Sequence, residues 1–129
     1  MKLGYTILYV DDVEATLTFY ERAFGFDRRM LTDEKNYGEL ETGTTRLAFA
    51  ANDFVRGMIP IEVAQAGPTR PAPPFELGLV SGDVESSYRQ ALACGAVAVK
   101  PPETKPWGQV VGYVRDLNGT LIEICSELP

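Results

Sequence analysis

The sequence contains no histidine, and of its 129 residues two are cysteine and one is tryptophan. The missing imidazole reaches furthest. It excludes every Ser-His-Asp or Cys-His arrangement, every histidine general base and every histidine-containing metal site. Acid–base or metal chemistry must then run on carboxylates, Tyr, Lys or Cys. Cys94 and Cys125 lie far apart and form no Cys-x-x-Cys pair, so two reduced structural thiols are expected. Basic residues are the minority, 12 against 18 acidic, for a net charge of −6. Such a chain is a poor binder of phosphate backbones, and nucleic acid is not an expected partner. No apolar run approaches the ~18 residues a membrane span needs, and Met1-Lys2 leads straight into a strand-like segment without a signal-peptide core. A soluble cytoplasmic protein without a membrane partner is the expectation.

What is present is ordinary for a globular chain, with 45% hydrophobic and 23% charged residues. One domain of this length buries about two-thirds of its unfolded surface without staples. Its two halves look alike. Asp12-Val13-Glu14 and Asp83-Val84-Glu85 each open a helical stretch, and each follows a strand-like run, Thr6–Val10 and Glu76–Val80. Val13, Leu17, Tyr20 and Phe24 form one apolar stripe at helical spacing; Val84, Tyr88, Ala91 and Leu92 form another. Asp12 and Asp83 suit N-caps, and Gly25 and Gly95 suit C-terminal stops.

Strand material follows each helix: Phe26–Leu31, Tyr37–Glu41 and Thr45–Ala50, then Val97–Lys100, Gln109–Arg115 and Thr120–Ser126. Asn118-Gly119 is a hairpin signal. The order is βαβββ twice, an α+β fold with modules at 1–50 and 75–129. Residues 51–74, ending in Pro68-Thr-Arg-Pro-Ala-Pro-Pro74, read as a linker, with Ile59–Val63 open to a short helix or strand. Two sheets with a helix on each outer face are expected to enclose an open, barrel-like cleft within one 1–129 domain. Period-2 alternation turns Tyr5, Ile7 and Tyr9 toward it, with Arg46, Ala48 and Ala50, Glu76, Gly78 and Val80, and Leu121, Glu123 and Cys125.

These patterns resemble the vicinal oxygen chelate superfamily, which contains glyoxalase I, extradiol dioxygenases, fosfomycin-resistance enzymes and bleomycin-resistance proteins. The resemblance rests on Tyr5-Thr-Ile-Leu-Tyr-Val-Asp-Asp-Val with Phe19-Tyr20-Glu-Arg-Ala-Phe-Gly25, on Asp83-Val-Glu with Gly95-Ala96, and on Val114-Arg-Asp-Leu-Asn-Gly119-Thr-Leu-Ile-Glu123. It implies paired βαβββ modules and a homodimer. It also implies that metal-dependent members place four ligands at Tyr5, Ala48, Glu76 and Glu123, of which only Glu123 fits the common pattern. No cofactor is therefore expected, with a divalent metal ion on Glu76 and Glu123 as the alternative.

Glu76 and Glu123 are the strongest site candidates, either as cation acceptors or as a pair sharing a proton with a catalytic acid–base role. The structural reading is that Glu76 sits near the mouth in water, or that Arg46 pairs with one of the two acids. Tyr5, Ile7 and Tyr113 supply ligand or core surface, while Trp107 and Gln109 stand at a loop-to-strand entry. Arg46 is either a structural partner for an acid or an anion anchor. Arg28-Arg29 and Glu34-Lys35 read as solvated edge residues, and Phe54 and Met58 as a lid or an interface. The function expected first is binding of an organic, possibly cationic or aromatic, small molecule in the bleomycin-resistance manner without a metal. The alternative is a glyoxalase-like lyase or isomerase, or a dioxygenase-related enzyme.

Overall fold

The structure, a computed structural model, describes residues 1–129, which divide into two compact units, Met1–Gln65 and Ala66–Pro129. The first unit runs β1 (Tyr5–Val10), α1 (Val13–Phe24), β2 (Asp27–Leu31), β3 (Tyr37–Glu41), β4 (Arg46–Ala51) and α2 (Asn52–Arg56). The second runs β5 (Glu76–Val80), α3 (Val84–Ala93), β6 (Val97–Thr104), β7 (Val110–Arg115) and β8 (Leu121–Cys125). Each is a four-stranded mixed sheet, ordered β1-β4-β3-β2 or β5-β8-β7-β6. The first strand of each pairs parallel with the last, and the other pairings are antiparallel. This is an α+β architecture built from one βαβββ plan used twice.

The helices form where their caps and stripes demand. Asp12 Oδ1 accepts the Ala15 N–H at 2.9 Å, and Asp83 Oδ1 accepts the Ser86 N–H at 3.0 Å. Each satisfies a donor the first helical turn leaves orphaned. Gly25 ends α1 in the left-handed region at φ 75°, where a Cβ would be strained. From α1, Val13, Leu17 and Tyr20 are buried against β2, β3 and β4, with the Tyr20 ring 5.0 Å from that of Phe49. Phe24 is only half-buried; Phe19 goes under instead, edge-on to Tyr20 and Phe24. Val84, Tyr88 and Ala91 do the same work for α3 over β6, β7 and β8.

Gly38 lets α1 lie this close to β3. A Cβ there would come 2.6 Å from Leu17 Cδ1 and 3.2 Å from both the Met30 carbonyl oxygen and Val13 Cγ1. Gly38→Ala is expected to cost about 1–2 kcal/mol by overpacking, read as a lower urea midpoint at unchanged slope.

Two elements differ from the sequence expectation. β6 continues past Lys100 to Thr104, through Pro101 and Pro102. Irregular register after Ala98 and again after Lys100 absorbs the prolines, and an edge strand can tolerate their missing N–H groups. Pro102 also packs on Gly112, where a Cβ would approach its Cγ to 3.0 Å. Within the expected linker, Asn52–Arg56 forms a short helix, whereas 59–63 has neither helix nor strand. No helix is long and apolar enough to cross a membrane.

Candidate functional site

In the second unit the helix takes one face of the sheet. Ile122, Ile124 and Val114 are buried on that side, which leaves Glu76, Gly78, Glu123 and Tyr113 on the other. Register aligns Gly78, Glu123, Tyr113 and Lys100 straight across the four strands. Glu76, two residues before Gly78, stands diagonal to Glu123 at the distance where cross-strand side chains meet. The Glu76 carboxyl lies above the ordinary glutamate range. Glu76 is exposed and Glu123 half-buried, so the main cause is only partial desolvation, followed by hydrogen bonding and charge from Glu123. Gly78 leaves open space beside the two acids, since a Cβ there would touch nothing within 4 Å.

Other groups on this face feel the same negative charge. Burial, then Glu123 and Glu76, push the Tyr113 phenol up. Burial and the charge of Glu123 push the Cys125 thiol up, so this buried cysteine is a poor nucleophile. The cations are occupied elsewhere. Lys100 Nζ sits 2.8 Å from Glu103 Oε1, and with Lys105 it holds the Glu103 carboxyl down to about 2. Arg115 spends its guanidinium on backbone carbonyls, those of Gly119 and Arg70 at 2.8 Å and Gly67 at 3.3 Å. Neither Glu76 nor Glu123 has a basic partner in its own unit.

The matching face of the first unit is chemically different. The positions equivalent to Glu76 and Glu123 are Tyr5 and Ala48. Tyr5 is 57% exposed and Ile7 45% exposed, while Ala48 is buried and offers no donor. This unit's half-buried carboxylate comes from β3 instead. Glu39 accepts the Tyr37 O–H at 2.8 Å and the Arg29 Nε–H at 3.1 Å, with Arg46 Nη1 at 3.8 Å. Arg46 also lies 3.5 Å from Glu41, so its partners are structural acids of the neighbouring strand. Arg28, expected in solvent, clamps Glu21 of α1 at 2.7 Å. Alternation along Tyr37–Glu41 puts Tyr37, Glu39 and Glu41 on one face and could have revealed this network.

The Tyr37 phenol is pushed well above its usual range by burial, then by the hydrogen bond to Glu39 and the charge of Glu39. A raised value keeps the folded phenol protonated after the unfolded one would ionise. The stability it contributes is therefore complete below about pH 10 and declines above it. Absorbance titration is expected to show tyrosine ionisation extending above the ordinary range, with Tyr37 last, and Glu39→Gln to lower the Tyr37 midpoint.

Trp107 and Gln109 fall at the β6–β7 turn. The Trp107 ring is 56% exposed, and its Nε1–H donates to Gln109 Oε1 at 2.9 Å. Gln109 in turn donates to the Ser126 carbonyl at 2.9 Å. Its amide thus ties the turn to the end of β8, while the indole stays exposed. Cys94 and Cys125 are both free thiols.

The donor set does not fit the metal that the resemblance implies for metal-dependent members. Neither unit brings three His, Cys, Asp or Glu side chains together in a group that could hold an ion. Two carboxyls fall short of the three or four ligands a transition metal requires.

A family model described as the Glyoxalase/Bleomycin resistance protein/Dioxygenase superfamily matches residues 2–124. No curated protein matches the sequence. Among solved structures, the fold is similar to that of a glyoxalase-related enzyme from Fulvimarina pelagi, with TM-score 0.85, 18% identity, and 98% of this chain and 88% of that one covered. It is also similar to TioX from Micromonospora sp. ML1, with TM-score 0.74, 24% identity and coverage of 99% and 100%. A third likeness is the hypothetical protein SA1046 from S. aureus, with TM-score 0.81, 16% identity and coverage of 98% and 95%. At such identities the likeness speaks to fold alone.

Proposed function

The chain belongs to the Glyoxalase/Bleomycin resistance protein/Dioxygenase superfamily, and on that footing we propose that it is a metal-independent binding protein of the bleomycin-resistance type. It takes a small organic cation on the helix-free face of its second sheet. The observation that carries this reading is the Glu76–Glu123 pair, which has no basic partner in its unit. A cationic group entering beside Gly78 neutralises the pair, and the ring of Tyr113 adds a cation–π surface. Trp107, exposed on the neighbouring turn, supplies aromatic area for the remainder of the ligand. The net charge of −6 attracts cations and repels nucleic acid. A homodimer in the cytoplasm belongs to the same reading, following the resemblance and the acidic composition.

The lyase, isomerase or dioxygenase reading would draw its divalent metal from Glu76 and Glu123 alone, since no third His, Cys, Asp or Glu joins them. Isothermal titration with benzyltrimethylammonium chloride tests the proposal. Saturable binding that weakens with added salt is expected, and Trp107, the chain's one tryptophan, gives a fluorescence readout of any contact. No saturation, or equal affinity for a neutral aromatic of the same size, would overturn it.

A further inference from the structure

Resting on that proposed site, we infer that Gln109 holds the Trp107 indole as a fixed aromatic platform at the far end of the same sheet face. The ligand is then an organic cation joined through an apolar spacer to a flat aromatic ring. The indole is exposed yet tethered. Its Nε1–H donates to Gln109 Oε1 at 2.9 Å, and Gln109 Nε2–H donates to the Ser126 carbonyl oxygen at 2.9 Å. An indole N–H can only donate and a main-chain carbonyl can only accept, so a single orientation of the amide serves both. The main chain beneath is equally defined. The Lys105 N–H donates to the Gln109 carbonyl at 2.8 Å and the Gly108 N–H to the Lys105 carbonyl at 2.9 Å. These bonds close a hairpin loop of Pro106, Trp107 and Gly108, with Gly108 at φ 93°. A free exposed ring loses rotamer entropy when a ligand stacks on it; here the ordering precedes the ligand.

Alternation fixes which face the platform serves. Tyr113, Val111 and Gln109 follow one another at period 2, so the Gln109 side chain, with the indole bonded to it, lies on the helix-free side with Glu123. Moving along that face from the acids, register gives first the row Gly78, Glu123 and Tyr113, then the row Val80, Cys125 and Val111, and then Gln109. Cys125 and Val111 are buried and Val80 reaches the surface, so what separates the acids from the indole is apolar. From Tyr113 to Gln109 the strand rises roughly 13 Å. A ligand that meets both ends therefore carries its charge and its ring well apart, with methylene groups over the Val80 row.

The test compares two probes that differ in the ring alone, phenylhexyltrimethylammonium and cyclohexylhexyltrimethylammonium, by isothermal titration with the full-length chain. Charge, spacer and ring size match, so a difference reports stacking. The phenyl probe is expected to bind about two- to tenfold more tightly. Trp107→Leu, which leaves the main-chain bonds of the turn in place, should remove that preference. Gln109→Leu should shrink it while sparing the affinity for the cyclohexyl probe. In the free protein, the anisotropy decay of the one tryptophan should gain a fast component in Gln109→Leu that the parent lacks. Equal affinity of the parent for both probes overturns the aromatic subsite and leaves the proposed cation site standing. In Gln109→Leu, an equal loss of both affinities, or an unchanged preference and decay, overturns the positioning role. A phenyl preference that disappears in Trp107→Leu but persists at full affinity in Glu123→Gln does the reverse, sustaining the platform and removing the cation site. Binding of neither probe by the parent overturns both.

Discussion

Gly119→Ala is expected to destabilise the second unit by about 3 kcal/mol, close to the upper range for single substitutions. Two costs combine. Gly119 sits at φ 84°, where a side chain adds strain of about 1–3 kcal/mol. Its new Cβ would also fall on the Gly67 carbonyl oxygen and 2.6 Å from Arg115 Nη2. That guanidinium holds the 67–70 segment against the β7–β8 turn, donating to Gly119, Gly67 and Arg70 carbonyls. Beneath it the buried Asp116 carboxylate accepts the Asn118 and Thr120 N–H groups at 2.8 and 2.9 Å. The methyl group must displace either the guanidinium or the segment it binds. Urea unfolding reads the effect, and a loss below 1 kcal/mol would show that the turn yields more easily than its contacts imply.

Glu123→Gln is the functional counterpart. It keeps the shape and removes the charge beside Gly78, with Tyr113 directly across the strand. A charged contact of this kind is worth about 1.5–3 kcal/mol, so affinity for benzyltrimethylammonium should fall roughly 10- to 100-fold. Folding should be unharmed, because the amide keeps the side chain's shape and no basic group is left stranded beside it. Unchanged affinity with an intact fold would remove Glu123 from any binding role.

Much of this architecture was legible because its signals are local. Asp12 and Asp83 open both helices as acidic caps must, and the period-2 reading of β8 correctly set Ile122 and Ile124 against the helix and Glu123 on the opposite face. The same reading placed Glu76 and Glu123 on one face, which is as far as alternation reaches. Their diagonal proximity needs the register of a parallel pairing between strands over forty residues apart. What escaped the sequence was set by non-local contacts. β6 keeps going through Pro101 and Pro102 because it is an edge strand with interrupted register, and Pro102 has Gly112 to cover. Arg46 offered two readings until β3 brought Glu39 and Glu41 beside it. Arg115 binds main-chain carbonyls about 45 positions earlier, and carbonyls carry no residue signature. Tyr37 and Glu39 were within reach of the alternation rule but appeared as an unremarkable strand.

Backbone amide mapping of 15N-labelled protein during titration with benzyltrimethylammonium locates the ligand on the second sheet. Saturable shifts are expected on residues 76–80, 111–115 and 121–125, all lost in Glu123→Gln. Shifts centred on Tyr5, Arg46 and Glu39 with residues 76–80 silent, or a full response surviving in Glu123→Gln, would contradict it.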